Sequence, residues 1–231
     1  MYRDKKRYGQ NPKAVVRSKA PTFYAPLTKL RGPLVFTCSW SDFFIAEADS
    51  WRSDAWDVIR QTPHLTYQIL TKRPERITDN LPFDWGNGWS NVWLGVSVEN
   101  NEQRWRMDIL RNIPATIRFV SAEPLLEAVE LDLESFGWVI SGGESGIGDK
   151  WRPAEIEWFL NIRNKCIAAN VPFFHKQHGG NKRIDGAWGG RDLEGQTWDE
   201  IPECFSTTPL ITESVITNPM PWPSYASLGT R

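Results

Sequence analysis

Cysteine, histidine and methionine are scarce in this 231-residue chain, with three of each, and net charge is nearly absent at −1. The three cysteines, Cys38, Cys166 and Cys204, stand far apart. They form neither a disulfide framework nor the short spacing of a zinc site, so they read as small buried thiols in a reducing compartment. A near-neutral chain exerts no bulk pull on nucleic acid or an anionic membrane. No apolar run approaches the ~20 residues of a membrane span. The charged N-terminus has no apolar stretch behind it, so no secretory leader is expected. The expected location is the cytoplasm.

What is abundant is tryptophan, with thirteen residues. Such large rings bury a great deal of area and belong mostly in the core or along its lining. Apolar residues at 40% against charged ones at 24% give a globular balance, enough for one large domain. That domain is expected over residues 1–203. Residues 204–231 turn to Ser, Thr and Pro without periodicity and read as an irregular tail. Near the start, Arg3, Lys5, Lys6, Arg7, Lys13, Arg17 and Lys19 face a single acid, Asp4. This is either a solvated basic segment or a contact for phosphate or polynucleotide.

Six short apolar runs punctuate the chain: Leu34–Thr37, Thr66–Leu70, Val92–Val96, Ile117–Val120, Trp138–Ile140 and Val171–Phe174. Runs of this length, apolar on both sides, suit parallel strands covered by helices. Helical patterns fall between them. Ser50–Arg60 places Trp51, Ala55, Val58 and Ile59 together, and Asn101–Asn112 does the same for Trp105, Ile109 and Leu110. In Pro153–Ala169 the stripe is Ile156, Phe159, Leu160, Arg163 and Ile167, with Pro153 in the first turn and Asn170 at the end. Pro82–Asn91, rich in Trp, Gly and Asn, reads as an ordered loop. Alternating strand and helix gives an α/β fold with right-handed crossovers.

In such folds ligands sit beyond the carboxyl ends of the strands. Every run here ends in hydroxyl, charged or glycine residues, and six such ends in register would share one mouth. The first is followed by Ser39 and Asp42, candidates to bind substrate. The second is followed by Lys72 and Arg73, whose charge suits a carboxylate or phosphate, or surface pairs with Glu75 or Asp79. Glu99 and Glu123 follow the third and fourth, as a general acid and base or as internal partners of Lys72 and Arg73. Gly142, Gly143, Glu144 and Ser145 follow the fifth, where backbone amides can approach a ligand or form a tight turn. The sixth leads to His175, Lys176, Gln177 and His178. Lys176 is the candidate for a depressed pKa, Gln177 a substrate contact, and the histidine pair only a weak metal pattern, so no metal ligand is assigned.

Several segments together resemble a family of phage-associated three-Cys-motif, radical-SAM-like proteins of unknown function. They are Phe36–Phe44, Gln68–Arg76, Val92–Glu99, Arg118–Leu126, Trp138–Gly146, Val171–Gln177 and Gly190–Pro202. The resemblance implies a TIM-like or partial (β/α) barrel of parallel strands. It also implies a [4Fe–4S] cluster on three close cysteines, with S-adenosylmethionine bound to it. Reductive cleavage would supply a radical acting on an unidentified substrate, with a nucleic acid or nucleotide as the candidate class. The cysteine loop of the family has no counterpart in this chain, and Met1 aligns just after it, so the first strand and the cluster ligands are expected to be missing. Gly142, Gly143, Glu144 and Ser145 carry the expectation of S-adenosylmethionine contacts. Two alternatives stand beside this one. The first is a cluster-free barrel enzyme in which glutamates transfer protons on an anionic ligand. The second is a non-catalytic module for a partner protein or nucleic acid.

Overall fold

The computed structural model describes residues 15–30, 32–38, 41–146, 148 and 150–202. The expected tail, Cys204, Ser39 and the basic residues before position 15 lie outside the described residues. Among the described residues five helices, α1 (Ala20–Phe23), α2 (Ala25–Thr28), α3 (Asp49–Arg60), α4 (Trp105–Arg111) and α5 (Ile156–Ala169), accompany six main strands. The strands are β1 (Leu34–Phe36), β2 (Thr66–Thr71), β3 (Val92–Ser97), β4 (Ile117–Ala122), β5 (Trp138–Gly142) and β6 (Phe173–Gln177). A small hairpin, β7 (Arg183–Ile184) and β8 (Ala187–Trp188), follows.

Each strand lies parallel beside its predecessor, in the order β1-β2-β3-β4-β5-β6. Every crossover therefore steps the same way, and right-handed crossovers put the covering helices on one face. The sheet curls into a half-barrel, as expected for an α/β partial barrel. In a doubly wound sheet the strand order would reverse instead.

Strand alternation then separates two cores. Val92, Leu94, Val96, Val120, Val139 and Phe173 face outward and pack with helix residues Trp56, Ile59, Met107, Leu110, Phe159, Ile162 and Cys166. Trp93, Phe119, Trp138, Ile140 and Phe174 form a separate cluster that includes no helix residue, which places it on the concave face. Trp138 is fully buried there, and its indole N–H donates to the Glu200 carbonyl at 2.8 Å. Fully burying one such side chain removes enough apolar area for about 2–3 kcal/mol.

The strands reach farther than the apolar runs. β2 to β5 each continue through polar or small residues, to Thr71, Ser97, Ala122 and Gly142. The ladder needs backbone groups, not apolar side chains, so polar residues at a mouth do not end it. β6 starts at Phe173 and continues to Gln177, and β1 stops at Phe36.

Helix faces differ from the expected stripes. In α5 the buried residues are Phe159, Ile162 and Cys166, while Ile156 and Ile167 are exposed. The helix begins at Ile156, after Pro153, and Asn170 closes it in the left-handed conformation, φ 52°. Arg163 ion-pairs with Glu194 at 2.8 Å and lies over the Trp198 ring. The second helical pattern divides into a 3-10 turn, Asn101–Gln103, and then α4. The Asn100 side chain accepts from the Gln103 N–H at 3.1 Å and caps that turn. In α3 the buried set is Arg52, Trp56, Val58 and Ile59. Arg52 can be buried because it donates to the carbonyls of Phe43 and Ile45 and to Asn80.

At the opposite end of the strands, the Pro82–Asn91 loop is ordered around Trp56, Trp85 and Trp89, whose ring centroids lie 5.7–5.8 Å apart. The Trp85 N–H donates to the Pro114 carbonyl at 2.8 Å. Here tryptophan serves packing rather than ligand contact. Of the basic segment, Arg17 pairs with Asp54 at 2.8 Å and sits 4.0 Å over the Phe23 ring. No helix among the described residues is long and apolar enough to cross a membrane.

Candidate functional site

The alternation that sends Leu70, Trp93, Phe119 and Phe174 to the concave face also sends Lys72, Ser97, Glu99, Ser121, Glu123, Gly142 and Lys176 there, above the aromatic floor. Two carboxylate–ammonium pairs result. Lys72 Nζ contacts Glu99 Oε1, while Glu99 Oε2 accepts from Arg106 Nη1 at 2.8 Å. The same Arg106 nitrogen donates to the Ser97 carbonyl at 2.8 Å. Alongside, Lys176 Nζ lies 3.3 Å from Glu123 Oε1, and Ser121 Oγ approaches Glu123 Oε2 at 3.4 Å. Gly142 makes room for this second pair, because a Cβ there would stand 2.4 Å from Glu123 Oε1.

Burial holds the Lys72 ammonium below the ordinary lysine range, and the Arg106 charge adds to the effect, while Asp42 opposes it. Burial also lowers Arg106, although a guanidinium stays protonated.

Asp42 lies at the same mouth, only 9% exposed. Its Oδ1 accepts from Phe44 N at 2.9 Å and Thr71 Oγ1 at 2.7 Å. Its Oδ2 accepts from Lys72 N and Arg73 Nη1, both at 2.9 Å. These bonds tie the loop after β1 to the end of β2 and orient the Lys72–Arg73 segment. Expected as a substrate contact, Asp42 is occupied here in positioning two cations.

The glycine segment after β5 is likewise engaged. Gly143 N–H donates to the Gln177 carbonyl at 2.9 Å, and Gln177 Nε2 returns a bond to the Gly143 carbonyl at 3.0 Å. A Cβ at Gly143 would fall 1.8 Å from the His178 carbonyl oxygen, so two backbones touch at this point. Ser145 forms a parallel bridge with Gly180. Glu144 chelates Arg152 through Nε and Nη2 at 2.9 and 2.8 Å and also accepts the Arg152 backbone N–H. That guanidinium holds the Glu144 carboxyl below its usual range. His175 points away from the mouth, under α5. It is fully buried, with Nδ1 2.8 Å from Ser141 Oγ and its ring 4.7 Å from that of Phe159. Burial drives its pKa down to about 3. Ser39 lies outside the described residues.

An open cleft of about 330 Å³ adjoins the first pair, lined by Lys72, Glu99, Asn100, Gln103, Arg106, Pro124, Leu126 and Arg152. Three cations thus border the cleft, Lys72 and Arg106 paired with Glu99 and Arg152 with Glu144. Arg106 Nε is buried and has no hydrogen-bond partner among the described residues. Sequence reasoning passed over both Arg106 and Arg152. Arg106 lies in the first turn of α4, seven residues past Glu99, and Arg152 lies in the loop before α5. A search restricted to strand ends cannot reach either one.

Residues 2–202 match a family described as a protein of unknown function (DUF5131). The chain belongs to that family. No curated protein and no solved structure matches it. For this DUF5131 chain, the cofactor expectation can be set against the donor groups. Cys166 lies on the buried face of α5, where desolvation raises its thiol to about 12, and Cys38 follows β1. No group of three His, Cys, Asp or Glu among the described residues is placed to hold a metal ion. The described residues therefore do not fit as ligands of an iron–sulfur cluster. The Gly143 amide and Glu144 carboxylate, expected to contact S-adenosylmethionine, already hold Gln177 and Arg152. What the DUF5131 mouth offers through its own side chains is ionic binding and proton transfer.

Proposed function

We propose that the concave mouth is an active site for a small ligand bearing a phosphate or carboxylate, with Glu99 and Glu123 transferring protons. The observation that carries this reading is the cleft lined by Lys72, Arg106 and Arg152, whose charges exceed those of Glu99 and of Glu144, the partner of Arg152. A hydrogen bond from a charged group to a ligand oxyanion contributes about 1.5–3 kcal/mol. Guanidinium groups suit it because they present several donors in a fixed plane.

Glu99 is the counter-ion of Lys72 and Arg106. An oxyanion that takes up the Arg106 and Arg152 charge loosens Glu99 and leaves it able to accept a proton. Glu123 and Lys176 place a second base and acid on the next strands, and the apolar floor below them limits water from that side. Each such group contributes typically 10²–10⁴-fold to a rate.

The test is calorimetric titration with inorganic phosphate and with citrate. Binding should weaken as salt rises, because the cleft is open to solvent. It should drop at least about tenfold in Arg106→Leu, the loss of one charged hydrogen bond. Equal affinity in Arg106→Leu and the unaltered protein would refute the site.

A second reading follows from the resemblance to radical-SAM-like phage proteins, supported by the parallel half-barrel that such a relationship implies. On that reading the mouth faces a cluster and S-adenosylmethionine supplied outside the described residues, and those groups provide radical chemistry when bound. Anaerobic reconstitution of protein extended upstream through a cysteine triad should give a brown product that cleaves S-adenosylmethionine. A colourless, inert product would dispose of it.

A further inference from the structure

Lys72 is an amine surrounded by guanidinium groups. Arg106, Arg152 and Arg73 each disfavour its charged form, with burial as the leading cause. The arginines cannot relieve that crowding by losing a proton, whereas an amine can. Acting against them are Glu99 from the end of β3, in direct contact, and Asp42 from the loop after β1. About half of the Lys72 side chain is open to solvent, so its nitrogen is reachable from the cleft.

Resting on the anion-site reading above, we infer that Lys72 is a nucleophilic amine that condenses with a carbonyl compound whose carboxylate or phosphate lies on Arg106 and Arg152. The placement supports this in three ways. Lys72 and the two guanidiniums line one cleft, so an anionic group and a carbonyl a few bonds away fall on different partners. The Glu99 carboxylate touches Nζ and can move its proton. Asp42 accepts the Lys72 backbone N–H at 2.9 Å, fixing the base of the side chain. Amines flanked by other cations are the activated nucleophiles of Schiff-base chemistry.

The step balances within these groups. Glu99 takes one proton from the Lys72 ammonium, and the freed nitrogen lone pair forms a bond to the carbonyl carbon. The C=O π pair moves to oxygen, which collects a second proton from nitrogen to give a carbinolamine. Glu99 returns its proton to that hydroxyl, which leaves as water. Nitrogen keeps its last proton in the iminium, and no oxidant or reductant is consumed.

The test uses glyoxylate as probe and sodium cyanoborohydride to reduce any imine, with adducts located by peptide mass mapping at neutral pH. Lys72 should be carboxymethylated faster than Lys19, Lys150 and Lys182, by about tenfold for each unit that it lies below the ordinary lysine range. With propionaldehyde, which has no anionic group, that preference should shrink, and Arg106→Leu should shrink it for glyoxylate. Lys72→Arg should keep the glyoxylate binding heat and lose the adduct. Labelling of Lys72 no faster than Lys150 overturns the inference. Binding heat without a Lys72 adduct removes this inference alone, whereas absence of both removes the anion site as well.

Discussion

Replacing Asp42 with alanine should destabilise the protein more than any other single change at the mouth. The carboxylate is 9% exposed and accepts from Phe44 N, Thr71 Oγ1, Lys72 N and Arg73 Nη1 at 2.7–2.9 Å. Arg73 is 40% exposed, so its share is no more than about 1 kcal/mol. The other three donors are held away from bulk water, and each costs about 1–3 kcal/mol if stranded. Water entering the vacated space offsets part of that, leaving about 3–5 kcal/mol, as for a buried pair that loses one partner. Asp42→Asn keeps one acceptor oxygen but turns an NH₂ toward Lys72 N and Arg73, and should cost about half as much. The assay is urea unfolding followed by tryptophan fluorescence, with a thermal melt. For a chain of this size each kcal/mol moves the midpoint by about 2–4 °C, so Asp42→Ala should melt about 6–20 °C lower. An Asp42→Ala protein unfolding at the unaltered midpoint with the same slope would refute the positioning role.

Three further outcomes follow from the same structure. His175 has its pKa lowered from 6.5 to about 3 by burial, so below pH 6.5 the unfolded chain binds a proton that the folded chain refuses. Stability should fall by up to about 1.4 kcal/mol per pH unit between pH 6.5 and 3, and His175→Gln should flatten that slope in melts across this range. Trp138→Ala removes a fully buried ring and its bond to Glu200 and should cost about 3–5 kcal/mol by urea titration. Gly142→Ala should displace the Glu123 carboxylate from the space it occupies, slowing turnover of any identified substrate more than it lowers the melting temperature.

Much of the architecture was legible because it depends on local repetition. The six apolar runs mark the six strands, and their spacing leaves room for a crossover in each gap. Faces were harder to place. Val58 and Ile59 are buried and Ala55 packs against the core as expected, yet Arg52 and Trp56, rather than Trp51, complete the buried side of α3. An arginine can be buried only when distant carbonyls accept its donors, and Phe43, Ile45 and Asn80 become neighbours only once the loops have folded. The pairing of Lys72 with Glu99 stood as one of two open options, and the geometry selects it. The partner of Glu123 is Lys176, two strands away. His175 was grouped with mouth residues because it follows a strand. A strand sends successive side chains to opposite faces, so its neighbour Lys176 enters the mouth and His175 does not.

The two margins of the half-barrel are unequal. Along β6, Trp198 and Glu200 exchange backbone bonds with His175 and Phe173, and Asp199 bridges antiparallel to Phe174. A returning segment therefore seals that margin, reversing the strand direction and stopping further parallel growth. Among the described residues β1 pairs only with β2. Growth of the parallel sheet past β6 is thus blocked by the chain's own returning segment, which makes the two ends of the sheet chemically distinct.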